Sequence, residues 1–271
     1  MKKTIKSLEI LMFSLLFVFA TTMTAFGQEV VNPNNSAKTS SVSQMLDKMD
    51  SDMNKAGVAN YLDSRSVTSN SVSILSSTSV PIGTNQIFYS ANAGNSGSSG
   101  SGVGTHGEGF SAIASIPWAD SGTYLAGTGN IGSWAWVGEQ IAVTGSGSRS
   151  ATIYFSGDYN GCIIGSSGYS SAKIRVSVID LGSSMEVGST IIEPTVTTGT
   201  HNYSADISRS ITTTLQSGHS YALRFGVSTA SNLSGVGQIQ SAFCNIDTWG
   251  QWDPDAGEEG VQYSYISLTW N

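Results

Sequence analysis

Over much of its C-terminal half this chain alternates apolar and polar residues. Ala172, Ile174, Val176 and Val178 are interleaved with Lys173, Arg175 and Ser177, and Tyr221, Leu223, Phe225 and Val227 with Ala222, Arg224 and Ser228. A period of two gives a strand one apolar face and one wet face. Further strands are expected at 110–117, 133–143, 149–156, 186–193, 203–215, 237–247 and 261–270, separated by turns such as 145–147, 156–158 and 216–218, which are rich in Gly and Ser. In the last strand the apolar phase changes between Tyr265 and Ile266, which predicts a bulge or burial on both sides. No segment past residue 110 has a helical period. With no crossover helices, the expected fold is all-β, an antiparallel β-sandwich of jelly-roll or Greek-key type with a short N-terminal helical extension.

The N-terminal part reads differently. Lys2, Lys3 and Lys6 precede an apolar run from Ile10 to Ala20, and Ala25 and Gly27 place small residues before Gln28, so residues 1–27 read as a cleaved signal peptide. The run is too short for a permanent anchor. The mature protein is therefore expected to be extracellular, without stable membrane insertion. Residues 28–92 form an extension in which Met45, Leu46, Met49 and Met53 recur at helical spacing between Ser43 and Lys55, a methionine stripe suited to docking on the protein's own core. Short β-like runs follow at 66–75 and 85–91. Residues 93–109 are almost pure Gly and Ser and read as a connector, leaving 110–271 as the sandwich domain.

Charge narrows the partners. Removal of residues 1–27 takes three of the 12 Lys and Arg and one of the 19 Asp and Glu, leaving a net charge of −9. From residue 108 onward only Arg149, Lys173, Arg175, Arg209 and Arg224 are cationic, and they stand singly in the sequence. That pattern argues against nucleic acid, whose phosphates need clustered cations. Cys162 and Cys244 are the only cysteines, and in an oxidising compartment two lone thiols are expected to pair as a disulfide.

Few residues suggest chemistry. Two glycine triplets, Gly102-Gly104-Gly107 and Gly127-Gly129-Gly132, match a dinucleotide fingerprint by letter, but neither opens a helix after a strand. His106, His201 and His219 have no nucleophile elbow or zinc signature beside them. The densest carboxylate cluster, Asp253, Asp255, Glu258 and Glu259 on a Gly- and Pro-bent loop, is a candidate calcium site. Trp249 and Trp252 on the same loop are candidate sugar-stacking residues, and Trp134 and Trp136 form a second pair that a sandwich would ordinarily bury. Glycoside hydrolysis would need a second carboxylate, from Glu139, Asp180 or Glu193, opposite the loop. The reading that results is a secreted, non-catalytic binding or surface-interaction module whose partner is a glycan or cell-surface polymer. The alternatives are an envelope-associated structural protein without a small ligand, and a carboxylate-based hydrolase. Oligomeric state is not legible.

Overall fold

The computed structural model describes residues 35–63, 77–103, 106–112, 117–192, 199–243 and 260–271. The signal segment, the run at 66–75, Glu193 and the acidic tryptophan loop lie outside the described residues. Among the described residues, one helix, α1 (Asn35–Asp63), precedes thirteen strands: β1 (Thr78–Pro81), β2 (Gln86–Phe88), β3 (Ala93–Gly102), β4 (His106–Ala112), β5 (Trp118–Leu125), β6 (Gly129–Thr144), β7 (Ser148–Gly165), β8 (Tyr169–Asp180), β9 (Met185–Ile192), β10 (Thr200–Gln216), β11 (Ser220–Leu233), β12 (Ile239–Phe243) and β13 (Gly260–Trp270). No described helix is long and apolar enough to cross a membrane.

The strands form two sheets. Sheet A runs β1-β6-β11-β8-β9, with β3 also against β6, and sheet B runs β10-β7-β12-β5-β13-β2, with β4 against β5. The antiparallel pairs nest: β5 with β12, β6 with β11, β7 with β10 and β8 with β9. That nesting, split between two facing sheets, is the jelly roll, so the expected fold class is what the chain adopts. β1 is added in parallel to the end of β6, and β13 runs along the first half of β7.

Alternation decides which residues fill the core. Ala172, Ile174, Val176 and Val178 of β8 and Tyr221, Leu223, Phe225 and Val227 of β11 are all buried, facing Ala151, Ile153 and Phe155 of β7 and Val261, Tyr263, Ile266 and Leu268 of β13. The change of phase in β13 is a bulge: the register shifts between Tyr263 and Tyr265, so Tyr263 and Ile266 can both point inward.

One end of the sandwich is filled by hydroxyls instead. Ser121 of β5, Ser133 of β6 and Thr229 of β11 bond one another at 2.6 to 2.9 Å, and Thr123, Ser231 and Ser170 continue the chain between the sheets. All six are fully buried, so each bond replaces water that cannot reach the site. Thr229→Val keeps the shape and removes one hydroxyl from the ring. It should lower the unfolding free energy by about 2 kcal/mol, measured by urea unfolding, because Ser121 and Ser133 lose a buried partner.

Three expectations need correction. Residues 93–102 are no connector but strand β3, paired with β6 from Ala93↔Gly138 to Gly102↔Gly129, and β4 begins at His106. The extension and the sandwich are likewise not separate, since β1 joins sheet A, β2 joins sheet B, and residues 38–271 form one compact unit. The turn read at 156–158 does not exist: β7 runs through it from Ser148 to Gly165. Gly157 is there because a Cβ would lie 2.2 Å from the Gln262 carbonyl oxygen, where β13 bulges against β7. The turns at 145–147 and 216–218 are present, with Gly145, Gly147 and Gly218 at positive φ.

The methionine stripe docks as expected. Val42, Leu46, Met49 and Met53 are buried, with Met49 and Met53 packed on Trp134 and Trp136 of β6. Both indoles point to the outer face of sheet A, beneath α1, which is where their alternation with inward-facing Ala135 and Val137 puts them.

Candidate functional site

Where β13, β7 and β10 lie side by side, the outer face of sheet B carries mostly hydroxyls. Pairing sets its rows: Thr269, Thr152 and Thr212 lie abreast on β13, β7 and β10, followed by Ser267, Tyr154 and Ser210, then Tyr265, Ser156 and Ser208. Strand β2 extends the face, with Ile87 beside Ser267. The burial pattern of β7 assigns the faces, because Ala151, Ile153 and Phe155 are buried while Thr152, Tyr154 and Ser156 between them are half-exposed.

Three tyrosines gather on this face from three strands or their ends. The ring of Tyr265 has its centroid 6.1 Å from that of Tyr89 and 5.9 Å from that of Tyr154, so the three form a bent row. Tyr89 is 66% exposed and Ile87 54%, values unusual for large apolar groups. Hydrogen bonds fix the surroundings: the Tyr154 hydroxyl and Ser208 Oγ are 2.8 Å apart, Thr152 and Thr212 are 3.0 Å apart, and Thr152 also donates to the Asn271 side chain. Asp158, Asp206 and Gln262 lie abreast at one end of the rows and supply carboxylate and amide groups. Such a surface offers aromatic faces for apolar contact and fixed donors and acceptors around them.

The residues singled out from sequence fall elsewhere. Trp249, Trp252, Asp253, Asp255, Glu258 and Glu259 lie outside the described residues. Among the described residues no group of three or more His, Cys, Asp or Glu is placed to hold a metal ion. Cys162 sits on β7 opposite Ala242 of β12, and Cys244 is outside the described residues. Glu139 and Asp180, the proposed partners for hydrolysis, are both buried. Glu139 is 4% exposed and points between the sheets, accepting bonds from Thr78 and from the Asn92 amide at 2.9 Å. Burial lifts its carboxyl to about 7 despite those bonds. Asp180 accepts from the backbone of Gly182 and lies 2.8 Å from His219 Nδ1.

The fold also overturns the scattered reading of the cations. Lys173, Arg175 and Arg224 converge on the outer face of sheet A, two from alternate positions of β8 and one from β11, all facing α1. Their alternation with buried residues was the signal available in the sequence, and the same rule applies to Tyr154, placed between Ile153 and Phe155. Tyr89 and Tyr265 carry no comparable pattern, because their approach depends on β2 joining β13 beside the bulge.

No protein-family model matches the chain, and no curated protein matches it. Among solved structures, the enzymatically active domain of tailspike protein 4 from bacteriophage CBA120 is similar at 11% identity and a TM-score of 0.24, over 66% of this chain and 19% of that one. The chain thus spans about a fifth of that domain. The family 11 carbohydrate-binding module from Clostridium thermocellum, in complex with a mixed-linked β-1,3-1,4 tetrasaccharide, is similar at 9% identity and a TM-score of 0.24, over 62% of this chain and 88% of that one. The glycoside hydrolase domain of Endo-D from Streptococcus pneumoniae is similar at 8% identity and a TM-score of 0.22, over 64% of this chain and 21% of that one.

Proposed function

We propose that the protein is a secreted, non-catalytic carbohydrate-binding module whose ligand lies on the tyrosine row of sheet B. The observation that carries this reading is the group of exposed Tyr89 and half-exposed Tyr154 and Tyr265 set among ordered serines and threonines. Aromatic rings cover the apolar faces of sugar rings, and hydroxyls held by the sheet meet the sugar's own hydroxyls without first having to be ordered. The face carries little charge, which suits a neutral glycan. The row spans three neighbouring strands, which suits an extended chain more than a single sugar.

A glycan array probed with the mature protein tests the reading, followed by titration with the best ligand. Tyr265→Ala and Tyr89→Ala should each weaken that ligand at least tenfold, about 1.4 kcal/mol, while the cooperative melt is retained. Absence of any glycan signal, or affinity undiminished in both variants, would contradict it.

A further inference from the structure

The outer face of sheet A contains more polar chemistry than a helix needs beneath it. Asp50 of α1 places its carboxylate among three donors: Lys173 Nζ at 3.1 Å, Arg175 at 3.4 Å and Ser228 Oγ at 3.0 Å. Beside them Arg224, only 1% exposed, lies 5.5 Å from the ring centre of Trp136 and donates to the Met53 carbonyl. Trp134 and Trp136 complete the face under Met49 and Met53.

The helix leaves much of this face unanswered. Trp136 Nε1 and Arg175 Nε are buried donors without a partner among the described residues, and Asn130 Oδ1, Gln140 Oε1 and Glu186 Oε1 are buried acceptors in the same condition. Trp136 is 1% exposed and Gln140 3%. Alternation along β6 and β8, and the pairing of Glu186 with Ile179, put all five on the outer face of sheet A. Trp136 and Arg175 share a row through Gly226 under Met53, with Gln140 and Glu186 in a row farther along and Asn130 toward the other end. Buried polar atoms are nearly always paired, so the unpaired donors under the helix mark a surface that its present cover does not satisfy.

We propose that this face is a second binding site, for a polysaccharide bearing uronic acids, and that α1 occupies it in the unliganded protein. The Asp50 carboxylate stands where the ligand's carboxylate goes. Lys173 and Arg175, which also pair with Asp47 and Glu186, surround the Asp50 carboxylate together with a serine hydroxyl and form a site for an anionic group of that kind. The two indoles supply apolar contact for sugar rings. Sugar hydroxyls both donate and accept, so one kind of ligand answers unpaired donors and acceptors alike. Methionine packs adaptably and is a fitting contact for a cover that must leave. The site is independent of the tyrosine row, which lies on the other sheet.

Affinity electrophoresis of the mature chain through polygalacturonate tests this, with mixed-linkage β-glucan as the neutral probe and dextran sulfate as the charge control. Asp50→Ala empties the carboxylate site and should tighten polygalacturonate binding at least tenfold, with a change in tryptophan emission. Adding Arg175→Ala should abolish the gain. Should Asp50→Ala fail to fold, Asp50→Asn keeps the shape and the Ser228 bond and should shift binding in the same direction. No gain in a folded Asp50 variant, or an equal gain for dextran sulfate, would overturn the proposal. Tyr265→Ala should leave the polygalacturonate response unchanged, which separates this site from the neutral-glycan reading.

Discussion

Phe225→Ala should cost about 4 kcal/mol of unfolding free energy, measured by urea unfolding of the mature protein. Phe225 is fully buried on the inner face of β11. Its ring stands edge-on to Phe155 of β7, centroids 5.4 Å apart at 77°, and stacks at 5.4 Å and 4° on Tyr263 of β13. One side chain thus joins sheet A to two strands of sheet B. Its removal leaves a cavity lined by two rings that strand pairing prevents from closing, and it also removes two aromatic contacts. The melting temperature should fall by about 10 °C, given 2–4 °C per kcal/mol at this size. Ile87→Ala, at an exposed position of the same molecule, should change stability by about 0.5 kcal/mol or less. A Phe225→Ala cost no larger than that of Ile87→Ala would mean that the sheets are not joined through this ring.

The second large effect is a pH dependence. Glu139 faces the core between Val137 and Ile141, and burial raises its carboxyl from 4.5 to about 7. The Tyr263 hydroxyl, buried without a hydrogen-bond partner among the described residues, is the titratable group electrostatically coupled to it, and its own ionisation is pushed upward by burial and by Glu139. Between pH 4.5 and 7 the folded protein keeps a proton on Glu139 that the unfolded chain gives up. Stability from this group is therefore full below about 4.5, falls as pH rises through that window, and is flat above it. The fall amounts to about 3 kcal/mol. In Glu139→Gln the amide oxygen still accepts from Thr78 and Asn92, so the variant should be more stable than the parent at pH 8 and lose most of its advantage at pH 5. Urea unfolding at the two pH values isolates the group by difference. Equal differences at both would place Glu139 in contact with water.

The parts of the fold that sequence reveals are those held by apolar side chains. Strands β8 and β11 are legible because each buries every second residue, and α1 because its stripe covers the indoles. What escapes is held by other means. Strand β3 has almost nothing apolar to bury and is secured by its backbone ladder to β6; its Gly97 has no Cβ because one would sit 2.9 Å from the Trp134 ring. Strand β5 hides its inner face behind serine and threonine, residues that suggest a wet surface until Ser133, Ser231 and Thr229 are found across from them. A glycine and an aspartate at 157–158 suggest a turn, whereas the glycine serves a close approach of two strands. The candidate site escapes for a related reason, since it consists of residues adjacent only after β2, β13 and β7 are set side by side.

The tyrosine row is tested most directly by labelling the mature protein with 13C in its tyrosine rings and following their NMR signals during titration with a neutral glycan identified on the array. The chain has ten tyrosines. The signals of Tyr89, Tyr154 and Tyr265 should move together with the same apparent affinity, while those of the buried Tyr221 and Tyr263 stay in place. Glycan binding that leaves all three platform signals unmoved would contradict the assignment of the ligand to this face.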